Sequence, residues 1–225
     1  MSTAQLPAMR IAIVDPGSGN LASVLRALEV AAAERGIAAT IRVTSHAPDL
    51  DVADRIVLPG QGAFAACRRG LDALPGMVAA LERNVRDERK PFLGICVGMQ
   101  LLCDRGLEHG VTPGLGWLPG EMAPMDPRGP DGAPLPLPQM GWNGLDFRSD
   151  AHPFLDGLRP GDDVYFVHSY AWIGADAEDV IATAEYGGPV VAIIGRGNIV
   201  ATQFHVEKSG PVGLRLLANF LDWEP

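Results

Sequence analysis

Apolar residues in this chain fall into short blocks set apart by glycine- and proline-bearing turns, and the blocks alternate in period. Ile11-Ala12-Ile13-Val14 is continuous and reads as a buried strand, followed by the turn Pro16-Gly17-Ser18-Gly19-Asn20. From Leu21 to about Arg35, Leu21, Val24, Leu25 and Leu28 recur at the spacing of one helix face. Thr40–Thr44 and Arg55–Leu58 predict two further strands, the second ending in Pro59-Gly60-Gln61-Gly62. A helix is expected from about Met77 to Glu88, then a strand over Pro91-Phe92-Leu93 running into Cys96, then a helical run from Met99 to Cys103. Strand–helix alternation of this kind predicts an α/β fold with a mainly parallel central sheet flanked by helices.

The second half changes character. Pro124 to Pro138 is rich in Pro and Gly and reads as a connection within a short-stranded region, since apolar runs flank it and no charged or Ser-rich spacer is present. Val164–Tyr170 predicts one strand. Ile181–Glu185, Val190–Ile194 and Asn198–Phe204 predict an added antiparallel strand set, with turns at Gly187-Gly188 and Gly195-Arg196-Gly197. Ser209 is a candidate cap for a last helix, Val212 to Leu221, with Pro211 in its first turn. Residues 1–8 read as a loose leader, with Met9 an alternative start, and 9–225 as a single domain.

Composition narrows the function. The 225 residues are 47% hydrophobic and 20% charged, enough for a sizeable core. A net charge of −9 without a basic stripe argues against nucleic acid. No apolar stretch reaches the ~20 residues of a membrane span, and the start lacks the pattern of a secretory signal. Three cysteines, Cys67, Cys96 and Cys103, form no disulfide framework, and on a regular helix Cys96 and Cys103 stand about 10 Å apart, beyond bridging range. Reduced thiols without an export signal predict a cytoplasmic protein.

The chemistry concentrates in two places. Gly94-Ile95-Cys96-Val97-Gly98 sets a nucleophile between two glycines where a strand meets a helix, the layout of a nucleophile elbow. A helix starting there aims its positive end at the thiol and favours the thiolate. His205-Val206-Glu207 closes the last strand-like run, and in extended chain residues two apart share a face, so imidazole and carboxylate sit side by side. Taken singly, a buried cysteine is ordinarily core filler and His-x-Glu ordinarily a half-exposed strand. Taken together, with Gly60-Gln61-Gly62, they all follow strand-like runs, where open α/β sheets build their sites. His168, within an apolar strand, reads as structural or as support for substrate; His46, His109 and His152 read as solvated, and Cys67 and Cys103 as packing. No Cys/His spacing suggests zinc.

These residues resemble the class I, triad-type glutamine amidotransferases. The resemblance runs along the whole chain through Gly17-Ser18-Gly19-Asn20-Leu21, Leu58–Phe64, Gly94–Leu102, Pro138-Gln139-Met140-Gly141-Trp142-Asn143, Tyr165–Tyr170 and Gln203–Gly210. The Met140–Asn143 and Phe166–Tyr170 motifs point to a branch that serves histidine biosynthesis as the glutaminase half of a two-chain synthase. The resemblance implies that L-glutamine is hydrolysed by Cys96, His205 and Glu207 without a cofactor or metal. It implies backbone oxyanion donors at Val97 and in the loop Gln61–Gly62. It implies glutamine contacts from Gly62, Gln100, Ser169 and Tyr170. It also implies a (β/α)8-barrel cyclase as partner, met by Asn20, Met140, Trp142, Tyr165 and Lys208. This chain departs from the pattern at Val206 (usually Pro), Gln139 (often His) and Gln61 (often Val). Three other readings stay open: a glutaminase or cysteine hydrolase of the same architecture but another pathway, a duplicate subunit feeding a divergent barrel, and a catalytically silent regulatory chain.

Overall fold

The computed structural model describes residues 8–148 and 150–225. Of the expected leader all but Ala8 lies outside the described residues. Along the chain run β1 (Met9–Val14), α1 (Leu21–Glu34), β2 (Ala39–Thr44), α2 (Pro48–Asp51), β3 (Arg55–Gly60), α3 (Phe64–Asp72), α4 (Met77–Leu81), β4 (Phe92–Cys96) and α5 (Val97–Gln100). Then come β5 (Arg105–Gly106), β6 (Thr112–Pro113), β7 (Glu121–Pro124), β8 (Gln139–Asp146), β9 (Asp163–His168), β10 (Tyr170–Ile173), β11 (Val180–Glu185), β12 (Pro189–Arg196), β13 (Ile199–Thr202) and α6 (Gly210–Asp222).

Nine strands form one mixed sheet in the order β2-β1-β3-β4-β13-β12-β11-β8-β9. From β2 to β13 every neighbour is parallel; from β13 to β9 every neighbour is antiparallel. The added antiparallel set therefore extends the parallel sheet. A second, four-stranded sheet has the order β10-β7-β5-β6. Strand β4 is buried at all five residues, as its unbroken apolar sequence requires between two strands and two covered faces. Its neighbours β3 and β13 are parallel to it, so the carboxyl ends of all three open on the same side, with Gly60 in register with Cys96.

Four expectations are corrected. The helix after Cys96 is a single turn, Val97–Gln100, because Leu101 to Cys103 spend their carbonyls on Leu115, Trp117, Leu118 and Gly116 instead of on a continuing helix. The run Val164–Tyr170 is not one strand. It breaks at Ser169, where the chain leaves the nine-stranded sheet as β9 and enters the smaller one as β10. The strand expected over Asn198–Phe204 covers only Ile199–Thr202, since the Thr202 hydroxyl donates to the Phe204 carbonyl and turns the chain. The helix around Met77–Glu88 is α-helical only to Leu81 and continues as a π-turn over Glu82–Asp87. Among the described residues no helix is long and apolar enough to cross a membrane.

Candidate active site

Cys96 is the last residue of β4 and is 4% exposed. Its backbone sits at φ 53° and ψ −111°, a conformation that costs a non-glycine residue roughly 1–3 kcal/mol and persists only where the surroundings impose it. The surroundings are visible. A Cβ on Gly98 would lie 1.8 Å from the Leu58 carbonyl oxygen, and one on Gly94 would lie 3.0 Å from the Ala201 Cβ and the Gly98 oxygen. The two glycines thus let β3, β4, β13 and the elbow turn close on each other, and the compressed turn lifts the thiol out of the sheet. With one turn in α5, the helix dipole expected to favour the thiolate shrinks to the few free N–H groups of that turn.

His205 and Glu207 meet by a different route from the one their spacing suggests. His205 is extended, but Val206–Lys208 is a 3-10 turn, and that turn swings Glu207 Oε1 to 2.8 Å from His205 Nδ1. Ser209 does not cap α6 with its side chain. Its hydroxyl donates to the His205 carbonyl at 2.7 Å and accepts from the Tyr165 N–H at 3.1 Å, while the His205 N–H donates to the Tyr165 carbonyl at 3.0 Å. Strand β9 and Ser209 together hold the His205 backbone in place, and Glu207 holds its ring.

Burial opposes charge on His205. Hydrogen bonding and charge interaction with Cys96 and Glu207 outweigh it and push the pKa up to about 9. Nδ1 belongs to Glu207, which leaves Nε2 for the sulfur. A buried imidazole that holds its proton at neutral pH beside a carboxylate, with its other nitrogen toward a cysteine sulfur, has the arrangement of a catalytic Cys–His–Glu set.

Cys96 and His205 share a cavity of about 640 Å³. Its walls also include Gln61, Gly62, Val97, Gln100, Ser169, Tyr170 and Lys208. The structure therefore gathers the residues expected at the nucleophile, the oxyanion loop and the substrate, and one of the residues expected at the partner. Gly62 has φ 84°, in the left-handed region that suits glycine, and nothing stands within 4 Å of a Cβ built there. The remaining partner residues lie elsewhere. Met140 and Trp142 point from β8 into solvent, 62% and 55% exposed. Trp142 packs edge to face against half-buried Tyr165 on β9, ring centroids 5.7 Å apart. Asn20 caps α1, its Oδ1 accepting from the Ser23 N–H at 3.4 Å.

Sequence reasoning missed one carboxylate in the wall. Glu108 lines the cavity, with Oε2 accepting from the Phe64 N–H at 2.6 Å. It sits in the irregular stretch after β5, where no periodicity marks a side chain. Cys67 and Cys103 are buried free thiols whose pKa burial raises, Cys103 to about 12. His46 and His109 are exposed. His152 is not simply solvated: it caps a 3-10 turn through Phe154 N and packs on Trp223, ring centroids 4.9 Å apart. Among the described residues no group of three His, Cys, Asp or Glu could hold a metal ion.

His168 also lines the cavity and is 6% exposed. Its Nδ1 donates to the Tyr170 carbonyl at 2.8 Å, and burial pushes its pKa down to about 4. It is neutral in the folded chain, while an unfolded chain protonates it below about 6.5. Its contribution to stability is therefore complete above pH 6.5 and is lost as pH falls from 6.5 toward 4. Urea unfolding of wild type and His168→Asn across that window is expected to show a steeper acid loss in wild type; parallel slopes would contradict the assignment.

A sheet of this topology, with a strained cysteine elbow and a His–Glu pair beside it, defines a class. The family model for glutamine amidotransferase class-I matches residues 12–223, and the chain belongs to that family. It is 55% identical to the imidazole glycerol phosphate synthase subunit HisH of Rhodospirillum rubrum, over 96% of this chain and all of that protein. It is 54% identical to the subunit of the same name from Granulibacter bethesdensis, over 96% of this chain and 97% of that one. A crystal structure of a glutamine amidotransferase superimposes with a TM-score of 0.67 at 18% identity, covering 94% of this chain and 97% of the other, which supports the fold.

Proposed function

We propose that this chain is the glutaminase subunit of imidazole glycerol phosphate synthase. It hydrolyses L-glutamine to glutamate and ammonia and passes the ammonia to a (β/α)8-barrel cyclase. The cyclase makes imidazole glycerol phosphate and aminoimidazole carboxamide ribotide in histidine biosynthesis. The observation that carries the reading is the near-full-length identity of 54–55% to the HisH subunits. A cytoplasmic location follows for an enzyme that needs a free thiolate.

The geometry supports the following sequence. The Cys96 thiolate attacks the side-chain amide carbon, and the carbonyl becomes an oxyanion. The Val97 N–H, with no acceptor inside its own turn, is one oxyanion donor; the Gln61–Gly62 loop supplies the second. Each such donor is worth about 3 kcal/mol of barrier, so the position of the loop governs the rate. His205 gives its Nε2 proton to the departing nitrogen, ammonia leaves, and a γ-glutamyl thioester remains on Cys96. Neutral His205 then takes a proton from water, the water oxygen attacks the thioester, and glutamate departs as the thiolate re-forms. Glu207 holds the imidazole by Nδ1 throughout. Gly62, Gln100 and the Ser169–Tyr170 backbone hold the glutamine. Glu108 is the wall carboxylate suited to its α-ammonium.

Ammonia in neutral water is mostly ammonium, which cannot attack a carbon centre, so the product has to reach its acceptor out of bulk water. The exposed Met140 and Trp142, with half-buried Tyr165 packed against Trp142, give a docking face for the barrel; Asn20 and Lys208 are further candidates for that contact. Mixed with a barrel cyclase, the chain is expected to release little glutamate until the acceptor ligand is added, and then sharply more. An unchanged rate would count against the subunit reading. Trp142→Ala should weaken the complex by about 2 kcal/mol, roughly thirtyfold in Kd, with the Cys96 cavity intact; titration calorimetry against the barrel reads this directly, and unaltered affinity would remove Trp142 from the interface.

A further inference from the structure

Two buried amides connect the cavity wall to the Cys96 sulfur. Gln203 follows β13 and is 1% exposed; Gln100 ends α5, is 6% exposed and lines the cavity. Gln100 Nε2 donates to Gln203 Oε1 at 3.1 Å. That bond occupies the oxygen of the Gln203 amide and turns its NH2 toward the nucleophile, where Nε2 donates to Cys96 Sγ at 3.9 Å. The backbone on either side is fixed: the Gln203 N–H donates to the Ala192 carbonyl at 2.9 Å, and the Thr202 hydroxyl donates to the Phe204 carbonyl at 3.0 Å.

We infer that Gln203 is a catalytic residue that donates a hydrogen bond to the Cys96 thiolate, and that Gln100 is the positioning residue that orients it. The inference rests on Cys96 being the nucleophile. At 4% exposure the sulfur has little water to solvate a negative charge, so protein donors must replace it. His205 supplies one, but it surrenders its proton to the leaving nitrogen and is neutral while the thioester stands. A carboxamide does not titrate. Gln203 keeps its donor in place through the whole cycle, both when the thiolate attacks and when it departs from the thioester. The other titratable groups around Cys96 cannot substitute. Cys67 on α3, His168 at the end of β9 and the wall residue Glu108 offer a buried thiol, a neutral ring that spends its N–H on Tyr170, and an acceptor-only carboxylate. Lys208 and Tyr170 complete the wall and carry no bond to the sulfur.

Two variants separate this role from packing. Gln203→Glu preserves the acceptor for Gln100 while replacing the donor that faces sulfur with an oxygen. Gln203→Met preserves length and removes both. The test measures the pH dependence of iodoacetamide alkylation at the Cys96 peptide in the full chain, by mass spectrometry, beside glutamine turnover in the complex with the barrel. The alkylation midpoint is expected to rise by about one pH unit in each variant, a roughly tenfold loss of thiolate at fixed pH. Turnover should fall about tenfold while KM for glutamine stays within about threefold. Gln100→Leu should move the midpoint the same way by less. A folded Gln203 variant with an unmoved midpoint, or one that raises KM and keeps kcat, overturns the inference. Failure of both variants to fold would place Gln203 in the framework and overturn it as well. Wild-type chain alkylated at Cys96 must lose glutamate formation; if it does not, the assignment of the nucleophile fails instead.

Discussion

Cys96→Ala is expected to leave a folded chain that binds the barrel and produces no glutamate, a loss of roughly 10³-fold or more in kcat. The physical ground is that no second nucleophile can take over. Cys67 and Cys103 are fully buried thiols with raised pKa values, and neither lines the cavity. Folding should survive, because alanine removes one sulfur atom from a site whose backbone is held by Gly94, Gly98 and the flanking strands. The complex should still form its cyclised product when ammonium salts replace glutamine, which separates loss of chemistry from loss of assembly. Persistent glutamate release would place the reaction elsewhere.

The second large effect is on the fold. Gly98→Ala places a Cβ 1.8 Å from the Leu58 carbonyl oxygen and 2.8 Å from its carbon, both backbone atoms of β3 that cannot rotate away. Either β3 retreats from the elbow or the elbow turn unwinds. Overpacking of this severity costs about 3 kcal/mol, visible as a lower urea midpoint with an unchanged slope. Any protein that folds should also lose glutaminase activity, since Gly60 at the end of β3 is in register with Cys96 and carries the oxyanion loop. Wild-type stability in Gly98→Ala would mean that the elbow is looser than its contacts indicate.

The parallel half of the sheet was legible because β1, β3, β4 and β13 carry short apolar blocks and β2 alternates apolar with polar positions, and the helix over Leu21–Glu34 because its apolar face repeats over four turns. The elbow was legible from two glycines around a cysteine, although the close approach of β3 and β13 that requires them, and the shortness of the helix that follows, were not. The pairing of His205 with Glu207 was also legible, through an argument about extended chain that the structure replaces with a 3-10 turn. In both cases the functional side chains were foreseen while the backbone that presents them was not, since periodicity ends where a turn begins. The break at Ser169 stayed hidden for the same reason: an apolar run does not mark where a chain changes sheets. Glu108 and Gln203 were missed differently. One stands in an irregular stretch, and the other sits inside a strand-like run that draws attention to packing. Their proximity to Cys96 depends on contacts between distant segments, which spacing along one segment cannot report.

The central claim is that Cys96, activated beside His205, carries the glutamyl group. Its most direct test is an acid quench of the complex during glutamine turnover, followed by mass analysis of the cysteine peptides. A γ-glutamyl adduct confined to the Cys96 peptide, and accumulating in a variant with His205 replaced only to the extent that the first step survives, is the predicted result. Glutamate formed with no adduct on Cys96, or with the adduct on Cys67 or Cys103, would contradict it.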